Sequence, residues 1–259
     1  MTAVDFAAFV DRLAEISGEA ILPFFRTALS VENKGRGAFD PVTAADRAGE
    51  SAMRALIRRT FPEHGVIGEE FGEERGDAEY VWVLDPIDGT KSFICGMPAW
   101  GTLIALMRWG QPVYGLMHQP FVRERFSGDG AAARYRGPAG ERSLAVRACA
   151  RLEEAVLFTT SPLLMNSADR RAFRRVEDKA MLSRYGGDCY AYCLVAAGHI
   201  DLVIETEIKP HDIAALVPII TGAGGLVTTW AGERAHHGGR IIAAGDHRVH
   251  AEAMKLLAG

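Results

Sequence analysis

The stretch Tyr80-Val81-Trp82-Val83-Leu84-Asp85-Pro86-Ile87-Asp88-Gly89-Thr90 decides how this chain is read. Its first five residues form an uninterrupted apolar run, the pattern of a buried strand. At the end of that strand two acids, a proline and a glycine are crowded into a turn. Proline fixes its own φ and donates no backbone N–H, so it stiffens the link between the acids. Gly89 allows the backbone angles that a sharp turn demands. The result is a rigid group of oxygen ligands beside the hydroxyl of Thr90. Hard divalent cations such as Mg²⁺ take oxygen ligands of this kind and commonly bind together with substrate phosphates.

Three further acidic segments belong with this one. Gly68-Glu69-Glu70 follows the strand-like Gly65-Val66-Ile67. Pro210-His211-Asp212 follows a strand over Leu202–Ile204 and opens an apolar helix. Asp40-Pro41-Val42-Thr43-Ala44-Ala45-Asp46 leads into another helix. Taken singly, each acid reads equally well as a surface or capping residue. Asp212 would make a good N-cap, and Asp46, in a first helical turn, is favoured by the helix dipole. In combination with Asp85 and Asp88 they favour a metal site, with Asp46 at its edge as a base or water-orienting acid.

The rest of the composition sets bounds. With 259 residues and 48% hydrophobic content the chain can bury a large core, in one or two domains at roughly 100–200 residues each. Its net charge is −4, from 29 Lys+Arg against 33 Asp+Glu, without the positive field expected of extensive nucleic-acid binding. Arg170-Arg171-Ala172-Phe173-Arg174-Arg175 spaces its charges like the solvated face of a helix. Cys95, Cys149, Cys189 and Cys193 are too few and scattered for a disulfide framework. Cys189 and Cys193, one helical turn apart in an apolar segment, read as buried thiols in a reducing compartment rather than as metal ligands. Met1 to Asp5 shows no leader pattern, and no apolar run is long enough for a membrane span. The expectation is a soluble, cytoplasmic protein.

Periodicity places the motifs on elements. Val4–Arg26 reads as a helix with Phe6, Phe9, Val10, Leu13, Ile16 and Ala20 on one face, kinked near Pro23. Lys34-Gly35-Arg36-Gly37 reads as a basic loop. Thr43–Thr60 reads as a second helix with Ala48, Ala52, Ala55, Leu56 and Arg59 on its turns, stopped by Pro62. Leu103–Met107 and Val113–Met117 form a hairpin around Trp109-Gly110-Gln111-Pro112, and Ser127–Gly140 holds further hairpin turns. Beyond residue 150 come a strand at Ala155–Thr159, a charged helix at Ala168–Asp178 and an apolar helix at Cys189–Ala197. A strand at Leu202–Ile204, an apolar helix at Ile213–Gly222 and a strand at Leu226–Thr229 follow. Strands and helices mix without regular βαβ alternation, which indicates an α+β fold with sheets covered by helices.

The four acidic segments, in this order and spacing over nearly the whole chain, resemble the inositol monophosphatase family of Mg²⁺-dependent, lithium-sensitive phosphomonoesterases. Asp85-Pro86-Ile87-Asp88-Gly89-Thr90 is similar to that family's first signature. Asp212-Ile213-Ala214-Ala215 followed by Ala223-Gly224-Gly225 is similar to its second. The resemblance implies an α+β fold, a layered α-β-α-β-α sandwich of the inositol monophosphatase and fructose-1,6-bisphosphatase type. It would be one compact unit, with most metal ligands in residues 1–145 and the substrate-side residues and Asp212 in residues 146–259. It also implies that Glu69, Asp85, Asp88, Asp212 and the carbonyl of Ile87 hold two or three Mg²⁺ ions. Thr90 and Asp46 would orient and help deprotonate the attacking water, with Glu69 assisting. Asp88 and the N–H groups of Gly89 and Thr90 would face the substrate, and a homodimer is expected.

Within that family three segments resemble the histidinol-phosphate phosphatases: Gly89–Gly96, Gly186-Gly187-Asp188-Cys189-Tyr190-Ala191-Tyr192, and Lys209–Ile220. Histidinol phosphate carries an ammonium group and an imidazole, and such a substrate wants a carboxylate partner. Asp188 is the candidate, its other reading being an N-cap on the following helix. Glu205 matches the family position that contacts the substrate's polar groups. His118 stands where an aspartate or asparagine is expected and reads as structural. His211 stands where tyrosine is common in this branch and reads as packing, the other reading being a substrate contact. The expected reaction is hydrolysis of histidinol phosphate. The alternatives are inositol 1-phosphate or another small ester, such as a nucleotide 3′-phosphate, and, in a different class, a non-catalytic module that binds a metal or phosphorylated ligand.

Overall fold

A computed structural model describes residues 6–28, 31–33 and 41–259. The helix start expected at Val4, the loop Lys34–Gly37 and Asp40 lie outside the described residues. In chain order, α1 (Phe6–Ile21) runs into a 3₁₀ turn holding Pro23, and a short pair β1 (Val31–Asn33) and β2 (Pro41–Thr43) precedes α2 (Ala44–Thr60). Then come β3 (Gly65–Gly68), β4 (Gly72–Glu74), β5 (Tyr80–Asp88) and the short α3 (Thr90–Ile94). A meander follows of β6 (Gly101–Arg108), β7 (Gln111–Gln119), β8 (Glu124–Gly128), β9 (Ala133–Gly137) and β10 (Gly140–Ser143). The expected hairpin is there, and its two turn residues, Trp109 and Gly110, both have positive φ, 50° and 71°, as a two-residue turn matched to strand twist requires.

The second part of the chain contains β11 (Val156–Thr159), α4 (Ser167–Glu177), β12 (Leu182–Tyr185), α5 (Asp188–Ala196) and β13 (Leu202–Ile208). It ends with α6 (Pro210–Ile213), α7 (Leu216–Gly222), β14 (Leu226–Thr229), β15 (Gly239–Ala244) and α8 (His247–Ala258). The first large sheet has the order β10-β9-β8-β7-β6-β5-β3-β4, and the second the order β12-β11-β13-β15-β14. The expectation of no regular βαβ alternation is corrected here. The succession β11-α4-β12-α5-β13 is a βαβαβ unit whose strands pair in parallel, β11 with both β12 and β13. β12 carries the polar Ser183 and Arg184 on an edge, so hydrophobic patterning did not mark it as a strand.

Three apolar clusters separate five layers. On the outer face of the first sheet, Val10, Leu13 and Ala14 of α1 and Met53 and Ile57 of α2 pack on Trp82, Leu84, Ile104 and Leu116. Between the sheets, Cys189, Tyr192, Cys193 and Val195 of α5 and Leu216, Ile219 and Ile220 of α7 meet Val83, Leu103 and Met117 on one side and Val203, Ile241 and Ala243 on the other. A helix between two sheets must be apolar on nearly every side, which is why α5 and α7 show no polar stripe. Outside the second sheet, Phe173 and Val176 of α4 and Val249 and Ala253 of α8 cover Leu157, Leu202, Ile204 and Ile242. The order is α-β-α-β-α, as the resemblance implied. Cys189 and Cys193 are buried free thiols, as expected.

The face expected for α2 is corrected. Its buried residues are Ala45, Asp46, Gly49, Glu50, Met53, Arg54 and Ile57, whereas Ala55 and Arg59 are exposed. Three of the buried residues are ionisable, so apolar periodicity pointed one residue off the true stripe. No described helix is long and apolar enough to cross a membrane.

Candidate active site

A single irregularity in β5 brings its two acids together. Side chains of a regular strand alternate between faces, so residues three apart point in opposite directions. Opposite β6, Asp85 pairs with Leu103 but Asp88 pairs with Gly101, so three steps on β5 match two on its partner. One extra residue is a β-bulge, and it turns Asp88 to the side of Asp85. Pro86 sits inside the bulge, where its missing N–H breaks no ladder bond. Its carbonyl accepts from Thr102 Oγ1 at 2.8 Å, and Ile87 N–H donates to Asp85 Oδ1 at 3.0 Å. Gly89 then turns at φ 87° and caps α3. A Cβ there would lie 3.0 Å from both the Ala99 carbonyl and Asp188 Oδ2. Thr90 Oγ1 donates to the Ile87 carbonyl at 3.1 Å.

The capping reading of Asp46 is correct and does not exclude a site role. Asp46 Oδ2 accepts from Thr43 N at 2.8 Å and from Thr43 Oγ1 at 2.7 Å, while Ala45 N–H donates back to Thr43 Oγ1. This capping box fixes a carboxyl that is 1% exposed. Burial raises its pKa, against the hydrogen bonds from Thr43, and the charge of Glu69 raises it further. Glu69 follows β3, and its N–H donates to the Leu84 carbonyl at 3.2 Å. Glu50, from α2, secures the same loop by accepting from Glu70 N at 2.7 Å and Phe71 N at 3.2 Å. Sequence reading missed Glu50, which pattern alone presents as one more helix-surface acid.

The second sheet supplies the other wall. β13 carries a register shift between Glu205 and Ile208, after which α6 presents His211 and Asp212. Asp212 is the third residue of its helix rather than the N-cap, and its Oδ2 accepts from Lys209 N at 2.7 Å. One oxygen each from Asp85, Asp88 and Asp212 lie within 4.8 Å of one another, and so do ligand atoms of Glu69, Asp85 and His211. Sequence reading treated His211 as packing. Its side chain is 14% exposed and its Nε2 is 3.4 Å from Asp212 Oδ1, so what it packs against is the acidic cluster itself.

Asp188 and Glu205 are carried to the same cavity, of about 380 Å³, which Asp88, Gly89, Thr90 and Asp212 also line. The N-cap reading of Asp188 is corrected. Gly187 is the N-cap of α5, and no side chain of the cap residue bonds the helix. The free N-terminus of α5 is instead capped from across the sheets, with Cys189 N–H donating to Asp88 Oδ2 at 2.5 Å. Asp188 adopts φ 44°, a region Asp tolerates better than most residues. Its Oδ2 accepts from Ser92 Oγ at 3.0 Å. Glu205 is 6% exposed and held by Thr160 and by Tyr192, whose Oη donates to Oε2 at 3.0 Å. Ser92 and Tyr192 lie within two segments that resemble the histidinol-phosphate phosphatases, but no residue pattern marks them, or Thr160, as supports.

The electrostatics point to a cation. Burial pushes the Asp85 carboxyl well above its usual range, and Glu69, Asp88, Asp212 and Asp46 push in the same direction. Asp88 is raised by burial and by Asp188 and Asp212, against its bond from Cys189. Asp212 is raised to about 7, first by burial, against the Lys209 N–H. Carboxylates so placed repel one another and lack water, and a hard dication relieves both. The donor set therefore fits a metal, and a metal among carboxylates beside an open cavity can bind and polarise a phosphate ester. His118 lies apart, as expected of a structural residue: burial and Arg125 lower its pKa to about 4.

Known proteins resemble the chain across this whole arrangement. Residues 4–258 match the inositol monophosphatase family. The chain is 44% identical over 264 residues to the bifunctional phosphatase IMPL2, chloroplastic, of Arabidopsis thaliana, covering 97% of this chain and 75% of that one. It is 39% identical over 221 residues to a histidinol-phosphatase of Mycobacterium tuberculosis, covering 84% of each. A solved inositol monophosphatase from Zymomonas mobilis is 41% identical and superposes with a TM-score of 0.87 over 97% of both chains. The bulged β5 with its acidic cluster and these matches agree: the chain belongs to the inositol monophosphatase family and is a phosphatase, a phosphoric monoester hydrolase.

Proposed function

We propose that the chain hydrolyses histidinol phosphate to histidinol and phosphate, with two or three Mg²⁺ ions held by Glu69, Asp85, Asp88, Asp212 and the Ile87 carbonyl. The ions, when bound, acidify the attacking water, neutralise the phosphate and stabilise the leaving alkoxide. Asp46, fixed through one oxygen by Thr43, turns the other toward that water and takes its proton, with Glu69 beside it. Thr90 donates to the Ile87 carbonyl, which leaves its oxygen to accept from the same water. The N–H groups of Gly89 and Thr90 face the phosphate.

Asp188 carries the substrate assignment. It is a half-buried carboxylate in the wall of the cavity, beyond the cation ligands and held by Ser92; burial raises its pKa, against the hydrogen bond from Ser92 and the charge of Lys91. Glu205 is its neighbour. An ammonium group fits two carboxylates, whereas a neutral polyol does not require them. Asp188→Ala removes a charge-assisted bond worth about 1.5–3 kcal/mol, or roughly 10–150-fold in kcat/KM. Histidinol phosphate should lose that factor and inositol 1-phosphate far less. An equal loss for both esters would overturn the assignment.

A second reading, the same chemistry on inositol 1-phosphate or another small ester, is favoured by the likeness to the Zymomonas mobilis protein. A homodimer is also proposed. Its support is the resemblance to the family, and the edge strand β12 leaves Leu182 and Tyr185 46% and 53% exposed. Light scattering of the purified chain tests it, and a monomer at micromolar concentration would refute it.

A further inference from the structure

The register shift in β13 lies between Glu205 and Ile208, and the residues of that shift line the catalytic cavity. One of them, Glu207, has φ 60°. This is the left-handed region, where a side chain costs energy that glycine does not. Six described residues other than glycine have positive φ: Arg26, Arg75, Trp109, Arg123, Asp188 and Glu207. Only the two acids among them line the cavity, and backbone outliers of this kind gather at ligand clamps. Asp188 is half-buried and accepts from Ser92 Oγ. Glu207 is exposed, and among the described residues no hydrogen bond or ion pair holds its carboxylate. The exposed charged residues of the lining are Lys91, Glu207 and Lys209, so Glu207 is the one of the three that can accept from an N–H group. Leu164 and Ile208 add apolar surface to the same wall. An imidazole, with an apolar body and a polar tip, fits such a combination.

We infer that Glu207 is a specificity-determining residue, which accepts from the imidazole N–H of the substrate at the mouth of the cavity. The inference rests on histidinol phosphate as the substrate, the reading made under the proposed function, and deepens it by giving the ring a partner of its own. The ring of that ester is one methylene from the ammonium-bearing carbon, on the side away from the phosphate. With the phosphate at the cation ligands and the ammonium on Asp188 and Glu205, the ring lies farther out. The two glutamates of β13 follow the same order, Glu205 being 6% exposed and Glu207 at the surface.

Steady-state kinetics of the full chain with Mg²⁺ test this on two esters, histidinol phosphate and 2-aminopropyl phosphate, which keeps the ammonium and lacks the ring. Glu207→Gln removes the charge and keeps the length of the side chain. It should raise KM for histidinol phosphate about 3–10-fold, the loss of one hydrogen bond, with kcat little changed, because the contact is made equally in the ground and transition states. The KM for 2-aminopropyl phosphate should rise much less. Glu207→Gly, whose backbone suits the left-handed turn, should give the same split between the two esters, which excludes strain in the variant as the cause. An unchanged KM for histidinol phosphate in Glu207→Gln, or an equal rise for both esters, overturns the inference and leaves the substrate reading standing. If the wild type cleaves histidinol phosphate no better than inositol 1-phosphate, that reading fails and the inference fails with it.

Discussion

Glu50→Ala is the perturbation that most directly connects the helix α2 to the site. Glu50 is fully buried and Arg54, beside it, is 4% exposed. Arg54 Nε donates to Glu50 Oε1 at 2.7 Å, and Arg54 also donates to the Gly72 carbonyl. Glu50 accepts in addition from the N–H groups of Glu70 and Phe71. Gly68 makes room for it, since a Cβ there would lie 1.9 Å from Oε1. Removing the carboxylate strands a buried guanidinium whose next anion, Glu74, is 3.7 Å away. Breaking a buried pair in this way costs about 3–5 kcal/mol. At about 2–4 °C per kcal/mol for chains near this size, that is a fall in melting temperature of roughly 10 °C. Because Glu69 lies between the two anchored residues and Gly68, the metal concentration needed for half-maximal phosphate release should also rise. Glu50→Ala/Arg54→Met removes the stranded charge and should regain part of the stability. Thermal melts followed by metal titration of activity measure both effects. A single variant that melts within about 2 °C of the wild type, or a double variant no more stable than the single, would refute the reasoning.

Two other outcomes follow from the site's geometry. Asp212 has a pKa raised to about 7 from the ordinary 3.8, so the folded chain holds a proton that the unfolded chain releases. Without cations its burden on stability is absent below about pH 4 and complete above about pH 7. Asp212→Asn should therefore melt like the wild type at low pH and above it at pH 8 in chelator, and should lose the stabilisation that Mg²⁺ gives the wild type. A variant less stable than the wild type at pH 8 in chelator would contradict this. Gly89→Ala forces a Cβ into φ 87° and within 3.0 Å of the Ala99 carbonyl; the left-handed conformation alone costs about 1–2 kcal/mol. It should lower both the melting temperature and kcat, and unchanged kcat would show that the turn does not set the site.

The large features of this molecule were legible because they follow from apolar pattern. The run Tyr80–Leu84 became an interior strand of the first sheet, and the hairpin over Trp109-Gly110 formed where turn chemistry placed it. The acidic motifs were legible for a different reason: their residue types are costly to bury and so stand out. What escaped is what pattern cannot encode. The true face of α2 contains Asp46, Glu50 and Arg54, polar residues buried because they hold or support the site, and apolar periodicity passed over them. The β5 bulge is a matter of register against β6, invisible in either strand alone. Asp188 kept a second reading as a cap because it precedes a helix, yet Gly187 and the distant Asp88 carry that role. His211 read as packing because a lone histidine usually packs, and only the convergence of Glu69 and Asp85, from distant segments, shows what surrounds it.

The central claim is a metal-dependent cleavage of a cationic phosphate ester at the carboxylate cluster. The direct measurement is phosphate release from histidinol phosphate and from inositol 1-phosphate by the metal-stripped full chain, with and without added Mg²⁺. The account predicts background release without the ion and, with it, a kcat/KM for histidinol phosphate at least about tenfold above that for inositol 1-phosphate, a difference of roughly 1.4 kcal/mol. Equal rates for the two esters would contradict the substrate assignment, and full activity in chelator would contradict the cluster as the seat of the chemistry.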